Sequence, residues 1–346
     1  MAQINKPNLY FNTKLYTGNG TADHAITGVG FQPDFVWYKG RNDTEDPKIF
    51  DAVRGVTKTI KPNGTDAEFT QSGVTSFDSD GFTLGTHTGG NENSIDFVSW
   101  NWLGANGTAS NTDGSITSTV SANTTSGFSI VSYTGTGSNA TVGHGLGTTP
   151  AWVLVKERGA SGESWNNFHQ SLGAGITIML NLTNAQQSSS TMWNNTAPTS
   201  SVFSVGADAG SNGSSKTYIA YCFAEKKGYS KFGSYTGDGN TNGPFIYTGF
   251  KPAFVLIKSS SDTGNWHLAD NKRIGFNPWN YRIQPSDSNA EYQGSAIYSD
   301  FLSNGFNLRN SDTDSNGSGR TYIYMAIAEE PLVANSGTDG VPATAR

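Results

Sequence analysis

The chain contains one cysteine among its 346 residues, so it cannot form an internal disulfide bond. Charged residues make up only 14% of it, against roughly a quarter in a typical globular protein. No run approaches the about 18 consecutive apolar residues that predict a membrane-spanning helix. The net charge of −6 gives no electrostatic basis for binding nucleic acid or an anionic membrane surface. We therefore expect a fold held by packing, with neither nucleic acid nor membrane insertion among its interactions.

The sequence also lacks a convincing amphipathic helix of ten or more residues. The nearest candidate, 176–183, places its apolar residues at every second position and is predicted to be a strand. Forty-two glycines, with many serines, threonines and asparagines, separate short alternating segments. Cys222 lies inside one of these segments and is predicted to be buried. Asp80-Gly81 and Asn304-Gly305, each before an aromatic alternating segment, predict hairpin turns. Short strands joined by Gly, Asn and Asp turns predict an all-β fold of antiparallel β-sandwiches.

One pattern occurs three times. The tripeptide Tyr-Thr-Gly begins at Tyr16, Tyr133 and Tyr235, and a proline follows each tyrosine by 17 residues. Each proline opens an apolar run that ends in lysine six residues later, which gives the pairs Pro33 and Lys39, Pro150 and Lys156, and Pro252 and Lys258. Such a long spacing, kept three times, indicates internal repetition. We predict that the prolines begin equivalent strands and the lysines end them. Repetition also argues for a binding surface that is presented several times and against one unique active site.

The repeats divide the chain into units of roughly 100 residues, each large enough to bury a core. The predicted fold is all-β, with three tandem antiparallel β-sandwich repeats. Its predicted parts are a first repeat with an N-terminal arm at 1–105, a Gly/Ser/Asn/Thr-rich connector at 106–126, a second repeat at 127–228, a third repeat at 229–332 and a C-terminal arm at 333–346. The three repeats are called the first, second and third units below.

Catalytic residue patterns are weak. The five histidines are scattered and show no zinc-ligand spacing or nucleophile partner. Glu225 and Glu329 end equivalent strands, but the first unit has no acid at that place, and glycoside hydrolysis needs two carboxylates in one site. A solvated strand end or an interface contact is the favoured interpretation of these glutamates. We predict no catalytic residue and no cofactor.

Asp312, Asp314 and Asn316 resemble the start of a calcium-binding loop, with oxygen ligands at alternate positions before a glycine. The bidentate glutamate expected at the twelfth position is absent, and Ile323 stands there. A turn before the last strand is the favoured interpretation, and a calcium site is the alternative.

Trp165 and Trp266 follow Lys156 and Lys258 by nine and eight residues, so they are predicted to be equivalent. Equivalent tryptophans in repeats are usually part of the core. The alternative is a glycan-binding role, in which each indole stacks on a sugar ring and repetition adds avidity.

Five segments resemble virion structural proteins of marine tailed bacteriophages, a group that includes tail-fibre-like appendage proteins. They are 127–137, 142–147, 150–156, 218–237 and 245–258. The resemblance covers the second and third units densely and the first more loosely. It implies a structural, non-enzymatic virion protein, a tail fibre or appendage subunit with a role in host-surface adhesion. The alternatives are a capsid-decorating protein on the outer surface of the head and a virion-associated glycan depolymerase. The resemblance brings no catalytic residues with it.

The resemblance also implies a place on the outer surface of the virion, after synthesis in the host cytoplasm. The start of the chain lacks a secretory signal pattern, which agrees with that route. The expected partners are the chain itself, most simply as a closed homotrimer, other phage structural proteins and a host surface glycan. The trimer is predicted because weakly charged sandwiches expose edge strands that need cover. The arms at 1–8 and 330–346 are predicted to be mobile in the free chain and ordered by neighbouring chains.

Overall fold

The computed structural model describes residues 2–332. Its regular structure consists almost entirely of strands, and its α-helices are single turns of four residues. The named strands of the described chain all pair antiparallel. The prediction of an all-β fold built from antiparallel sheets is therefore confirmed. Within residues 2–332, none of the helices has the length and apolar composition needed to cross a bilayer.

The strands follow each other through the units in a similar order. The first unit has β1 (Phe11–Thr17), β2 (His24–Thr27), β3 (Phe35–Gly40), β4 (Lys48–Asp51), β5 (Lys58–Thr59), β6 (Phe69–Thr70), β7 (Val74–Asp78), β8 (Gly81–Leu84), α1 (Thr88–Asn91) and β9 (Asp96–Trp102). The predicted connector contains β10 (Ala109–Asn111) and β11 (Ser118–Asn123). The second unit has β12 (Phe128–Thr134), β13 (Ala140–Gly143), β14 (Pro150–Glu157), β15 (Asn166–His169), β16 (Ile176–Met179), β17 (Gln187–Ser188), β18 (Val202–Val205), α2 (Ala209–Asn212) and β19 (Thr217–Ala224). The third unit has β20 (Ser230–Thr236), β21 (Phe245–Tyr247), β22 (Phe250–Ser259), β23 (His267–Asp270), β24 (Tyr281–Arg282), β25 (Tyr292–Gln293), β26 (Ser299–Leu302), β27 (Gly305–Leu308) and β28 (Thr321–Pro331).

Each unit has a main sheet in which four strands keep the same order. The first strand of the unit pairs with the last, the last with the proline-initiated strand, and that strand with the next one along the chain. The three orders are β1-β9-β3-β4, β12-β19-β14-β15 and β20-β28-β22-β23. The strands β10 and β11 of the predicted connector extend the second sheet beyond β12.

The strand registers make the repeated prolines and lysines equivalent. The residue two after each proline pairs with the last strand of its unit, as in Phe35↔Trp102, Trp152↔Phe223 and Phe254↔Ile327. The lysines pair four residues further along, as in Lys39↔Val98, Lys156↔Ile219 and Lys258↔Ile323. The predicted equivalence is confirmed. The strand limits differ, because β3 begins after its proline whereas β22 begins before its own.

A smaller sheet covers the outer face of each main sheet, with the orders β2-β8-β7, β13-β18 and β21-β27-β26. In the first and third units it contains the hairpin predicted from Asp80-Gly81 and Asn304-Gly305. The second unit lacks this dipeptide and pairs β13 with β18 alone. Three apolar clusters, one in each unit, fill the space between the main and small sheets.

The inner faces of the three main sheets meet in one central core. It is dominated by large side chains from all three units: Phe35, Trp37, Trp100, Trp102, Phe128, Trp152, Tyr221, Phe223, Phe254, Leu256, Met325 and Ile327. Three independent sandwiches in tandem are therefore not established, because every main sheet contributes one face to this shared core. The unit boundaries given above remain a prediction.

The Tyr-Thr-Gly motif makes the same contacts in each unit. Each tyrosine hydroxyl donates to a carbonyl in the turn before the last strand, with O···O distances of 3.0 Å for Tyr16–Gly90, 2.6 Å for Tyr133–Ser211 and 2.6 Å for Tyr235–Ser315. Each tyrosine ring also stacks on an aromatic ring of the last strand, in the pairs Tyr16–Phe97, Tyr133–Tyr218 and Tyr235–Tyr322. The motif therefore fastens the start of each unit to its end.

A buried asparagine follows the accepting carbonyl in every unit, at Asn91, Asn212 and Asn316. Its Oδ1 accepts the backbone N–H three residues after the tyrosine, at 3.0 Å from Asn19, 2.7 Å from Thr136 and 2.9 Å from Asp238. Its amide donates to two carbonyls, such as Ser138 and Gly206 for Asn212. The asparagine thus satisfies buried backbone groups of two loops at once.

The glycine of the motif permits this close approach. A Cβ added at Gly18, Gly135 or Gly237 would lie 2.1, 2.4 or 2.5 Å from the carbonyl oxygen of Glu92, Gly213 or Gly317, respectively. Real Cβ atoms do not come that close to a backbone oxygen, so a larger residue would push the two loops apart.

The N-terminal arm differs from its prediction. Ala2 and Ile4 are buried, and Gln3 exchanges two hydrogen bonds with Lys227, one from N–H to carbonyl and one from the Lys227 N–H to Oε1, both 2.8 Å. The prediction of a mobile arm ordered by a neighbouring chain is wrong for these residues, because they pack on the link between the second and third units. Of the segment predicted to be mobile at 330–346, Glu330 and Pro331 belong to β28, so the prediction is wrong for these two residues. The predicted C-terminal arm at 333–346 lies outside the described residues.

We expect Gly135→Ala to lower the free energy of unfolding by about 1–3 kcal/mol, the usual cost of overpacking a well-packed site. Urea denaturation measures the change. The control is Gly107→Ala, because a Cβ at Gly107 meets no atom within 4 Å. Equal effects of the two substitutions would contradict the role assigned to the motif glycine.

Candidate functional site

Three seams between the units enclose the central core. In each seam, the hairpin after the fourth strand of one unit bonds to the segment after the lysine of the next. The backbone N–H to carbonyl bonds are Glu68 to Arg158 at 2.9 Å, Gln186 to Ser260 at 2.9 Å and Glu291 to Arg41 at 2.7 Å. The last of these joins the third unit to the first. The units therefore form a closed head-to-tail ring within one chain.

Trp165 and Trp266 lie in two of these seams, at equivalent positions. Their Nε1 atoms donate to carbonyls of the preceding unit, at 2.7 Å to Lys61 and 3.0 Å to Met179. Both side chains are fully buried in the central core. A glycan-binding role for these two residues does not fit this placement, because neither indole has a face open to a sugar ring.

Buried polar groups join the inner ends of the seams. Asp51 forms an ion pair with Arg54 and accepts a 2.7 Å hydrogen bond from the hydroxyl of Tyr221 in the second unit. Burial alone would lower the pKa of Arg54, but the Asp51 carboxylate raises it above its usual value. This charged pair is therefore retained in the interior and tied to the neighbouring sheet.

The third unit repeats this cluster against the first. Asp270 pairs with Arg273 at 2.6 Å and accepts from Trp100 Nε1 at 3.1 Å. In the second unit His169 holds the equivalent position, and its Nε2 lies 3.3 Å from the Tyr324 carbonyl. Burial lowers the pKa of His169 to about 4, so it is neutral at pH 7.

These clusters are not among the sites predicted from the sequence, although the sequence contains a signal for them. The pattern Asp-x-x-Arg occurs at Asp51–Arg54 and at Asp270–Arg273, and it begins at the last residue of the fourth strand in the first and third units. Comparing the units by their distance from the repeated lysine would have found it.

Arginines on the rims strengthen two of the seams. The Glu68 carboxylate forms ion pairs with Arg54 of its own unit at 3.4 Å and with Arg158 of the second unit at 3.1 Å. Glu291 likewise forms ion pairs with Arg273 and, across the seam, with Arg41, both at 2.8 Å. A shared carboxylate between two guanidinium groups forms a network, which contributes more than isolated surface pairs do.

The glutamates considered for catalysis lie in separate ion pairs. Glu225 pairs with Lys231 at 2.8 Å, and Glu329 with Lys251 at 3.5 Å. Glu225 directly follows β19, whereas Glu329 lies inside β28, two residues before its end. The two glutamates therefore lie in different units and do not form one pair of carboxylates.

The histidines are used structurally. His87 accepts from the Gly89 N–H and caps α1, while His24 bonds Asn91 at 2.7 Å. His144 and His267 are buried, and burial lowers the pKa of both. Over residues 2–332, no cluster of three or more His, Cys, Asp or Glu side chains is arranged to hold a metal ion. Cys222 is buried as predicted, and burial raises the pKa of its thiol.

The loop considered for calcium is a turn with its oxygens already engaged. Asp312 Oδ1 accepts the Asp314 N–H at 2.7 Å, just as Asp208 caps α2 in the second unit. Arg282 lies 3.1 Å from Asp312 and 3.3 Å from Asp314, so a cationic side chain already neutralises the two carboxylates. Asn316 is the buried asparagine described above. The arrangement agrees with the turn interpretation.

The repeated lysines are buried, which is unusual for this residue type. Each Nζ donates to the carbonyl of the next residue, at 2.7 Å in Lys39 and Lys156 and 2.9 Å in Lys258. Lys156 and Lys258 also reach a hairpin carbonyl of the preceding unit, Thr65 at 3.4 Å and Thr183 at 3.2 Å. Burial lowers the pKa of both to about 8, although nearby carboxylates act in the opposite direction.

A cleft of about 410 Å³ lies at the seam between the third and first units. Its walls include Lys6, Phe11, Lys272, Glu329 and Pro331, so they combine both charge signs with apolar surface. The cleft lies between the third and first units, which are neighbours in the ring but are not consecutive in the chain.

We expect Tyr221→Phe to lower the free energy of unfolding by about 1.5–3 kcal/mol, because it removes a buried hydrogen bond to a charged group. Chemical denaturation measures the loss. Tyr292→Phe is the matched control, since Tyr292 is exposed and its change should have little effect. A Tyr221→Phe protein as stable as the control would contradict the importance of the Asp51 contact.

We expect Lys156 and Lys258 to make stability rise with pH. Their folded pKa is about 8, whereas an unfolded lysine titrates near 10.4. Between these pH values the unfolded chain binds more protons than the folded chain does, so the free energy of unfolding increases with pH. Cys222 and the buried tyrosines act in the opposite direction above about pH 8.5, because unfolding lets them ionise.

The lysine contribution is therefore measured as a difference. Guanidinium denaturation at pH 7, 8, 9 and 10 is compared between the unaltered chain and Lys258→Met. The substitution should reduce the slope of stability against pH in this range. Parallel pH profiles would show that Lys258 is charged equally in the folded and unfolded states.

Comparison with known families gave a match over almost the whole chain. A family model described as Domain of unknown function (DUF7483) matches residues 6–331. The matched region spans all three units and every seam, so the family domain corresponds to the whole ring. A search of curated proteins found no match. A search of solved structures also found none.

Proposed function

The chain belongs to the DUF7483 family, whose function is unknown, and we propose that it is a structural, non-enzymatic protein of a bacteriophage particle. In this proposal it serves as a tail-fibre or appendage subunit on the outer surface of the virion and adheres to the host. The resemblance of the second and third units to phage virion proteins supports this role.

The closed ring is the observation that carries the proposal. A protein that transmits contact with a host cell must keep its shape under load. Three seams, two of which contain a buried ion pair, hold the main sheets around one shared core. The polar groups most suited to chemistry are engaged in this framework. Asp51 and Asp270 hold the seams, and the repeated lysines bind backbone carbonyls.

The outer surfaces of the units are free to differ, whereas their inner faces must fit one core. A constant framework with variable outer loops suits adhesion, because loops tolerate sequence change that a packed core does not. This division supports a host-facing role for the small sheets and their turns.

Capsid decoration remains the second candidate. A long fibre usually contains a coiled-coil shaft, and the α-helices among residues 2–332 are single turns. A protein without a shaft would suit attachment to a capsid surface. The depolymerase alternative receives no support from Glu225 and Glu329, which lie in ion pairs with different lysines.

The homotrimer remains a prediction, as do contacts with other phage structural proteins. The trimer is predicted because exposed sheet edges need cover. Within the chain, hairpin strands already pair with the fourth strands, at Ile49↔Ile60, Asn167↔Ile178 and Leu268↔Ile283. That pairing covers one edge of each main sheet, whereas β1, β10 and β20 each have a single strand neighbour among the described residues. A trimer would therefore use these edge strands or the outer surface of the ring.

The proposal is tested with fluorescently labelled chain and intact cells of the bacterium that the phage infects. We expect the label to bind these cells, and excess unlabelled chain to reduce phage adsorption. Cells of a bacterium that the phage does not infect provide the control. Gold-labelled antibody against the chain should mark the tail or its appendages. Capsid labelling without competition would support decoration instead, and release of reducing ends from envelope glycans would indicate an enzyme.

A further inference from the structure

Two aromatic side chains stand exposed on one edge strand of the third unit. In β21, Phe245 is 47% exposed and Tyr247 is 59% exposed, whereas Ile246 between them is 6% exposed. Side chains alternate across a strand, so both rings lie on the outer face of the small sheet. They are separated by two residues, which is about 7 Å along the strand.

The first and second units have no aromatic residues at the equivalent positions. Ile246 pairs with Phe306 in the way that Ile26 pairs with Phe82 and Val142 with Phe203. The positions equivalent to Phe245 and Tyr247 are Ala25 and Thr27 in the first unit, and Thr141 and Gly143 in the second. The fold therefore does not require aromatic residues here, and their presence in one unit calls for a different reason.

The neighbouring strands shape a shallow site around the rings. Tyr247 lies opposite Gly305 and Phe245 opposite Asn307. A Cβ at Gly305 would lie 3.0 Å from Cε2 of Phe245, so this ring lies over the glycine. Together with Asp300, these residues form what we call the aromatic face.

Polar groups border the aromatic face on one side. Asp300 lies opposite Asn307 on β26 and pairs with Arg309 at 3.2 Å. The side-chain Oδ1 of Asn307 is buried and has no hydrogen-bond partner. An acceptor without a partner beside an exposed ring is a group that a ligand hydroxyl could satisfy once the amide turns outward.

This combination suits a sugar ring better than a protein surface. A pyranose presents a C–H face that stacks on an aromatic ring and hydroxyls that bond to amide and carboxylate oxygens beside it. A stable protein interface buries about 1,000 Å² or more, and a three-residue edge strand with two rings offers far less apolar surface. The negative charge of the chain favours a neutral sugar over an anionic one.

We propose that the aromatic face, Phe245, Tyr247, Gly305, Asn307 and Asp300, binds a neutral hexose or hexosamine unit of a host surface polysaccharide. This inference rests on the proposed adhesive function and assigns it a site. The rings supply stacking, and Asn307 and Asp300 orient the hydroxyls. One such face per chain binds weakly, so adhesion would depend on several copies in one particle.

The test uses calorimetric titration of the full chain with chitotetraose, maltotetraose and cellotetraose, and with tetragalacturonate as the anionic comparison. We expect at least one neutral tetrasaccharide to bind. The double variant F245A/Y247A should weaken that binding tenfold or more, because stacking on each ring is lost. Thermal unfolding should be unchanged, since both side chains are exposed.

The matched control is Phe276→Ala. Phe276 is 65% exposed and adjoins Asn277, which bonds to Phe301 on β26, at the opposite edge of the same small sheet. Its replacement should leave sugar binding intact. A gain-of-function variant, A25F/T27Y, should add a second, weaker site in the first unit.

Three results would overturn the inference. They are a lack of binding by all the neutral tetrasaccharides, binding that survives F245A/Y247A, and a change in self-association of that variant, which would identify the face as a contact between copies. The outcomes also separate this site from the wider function. Cell adhesion that persists in F245A/Y247A would place adhesion elsewhere, whereas sugar binding without cell adhesion would count against the proposed function alone.

Discussion

Each main sheet has two apolar faces, and its own small sheet can cover only one of them. The strands β3, β14 and β22 are buried along their whole length, which requires cover on both sides. The structure meets this requirement by turning the three uncovered faces towards each other. The central core, the seams and the buried ion pairs all follow from that arrangement. Trp100, Tyr221 and Met325 occupy equivalent places in it, and the first two donate to an aspartate of a neighbouring unit.

Two kinds of constraint explain why some parts of the repeat are kept and others vary. The Tyr-Thr-Gly contacts need the hydroxyl of the tyrosine, the buried amide of the asparagine and a glycine without Cβ. Each of these residues meets a condition that few other residue types can meet. The central core depends on volume and shape, so Trp, Tyr and Met can replace each other when their neighbours adjust. Hydrogen-bond geometry therefore preserves sequence more strictly than apolar packing does in this chain.

The sequence was sufficient to predict what local patterns determine. Period-two alternation located the strands, Asp-Gly and Asn-Gly located the hairpins, and the constant spacing aligned Lys39, Lys156 and Lys258. A continuous apolar run shows that both faces of a strand are covered, but it does not show by what. The seams, the burial of Trp165 and the partners of Asp51 join residues up to 250 positions apart, and no local pattern encodes such contacts. The N-terminal arm was mispredicted because its anchoring depends on two small contacts, Ala2 and Ile4, that composition does not distinguish from loop.

The closed ring also has a consequence for synthesis. The first unit leaves the ribosome with the inner face of its main sheet complete, including Trp37, Trp100 and Trp102, while the sheets that cover this face are not yet made. At about 5–20 residues per second, the wait for the third unit lasts on the order of tens of seconds. During that time a broad aromatic surface is open to chaperones and to other nascent chains. The rate of translation and the spacing of ribosomes on the message therefore become determinants of yield for this protein.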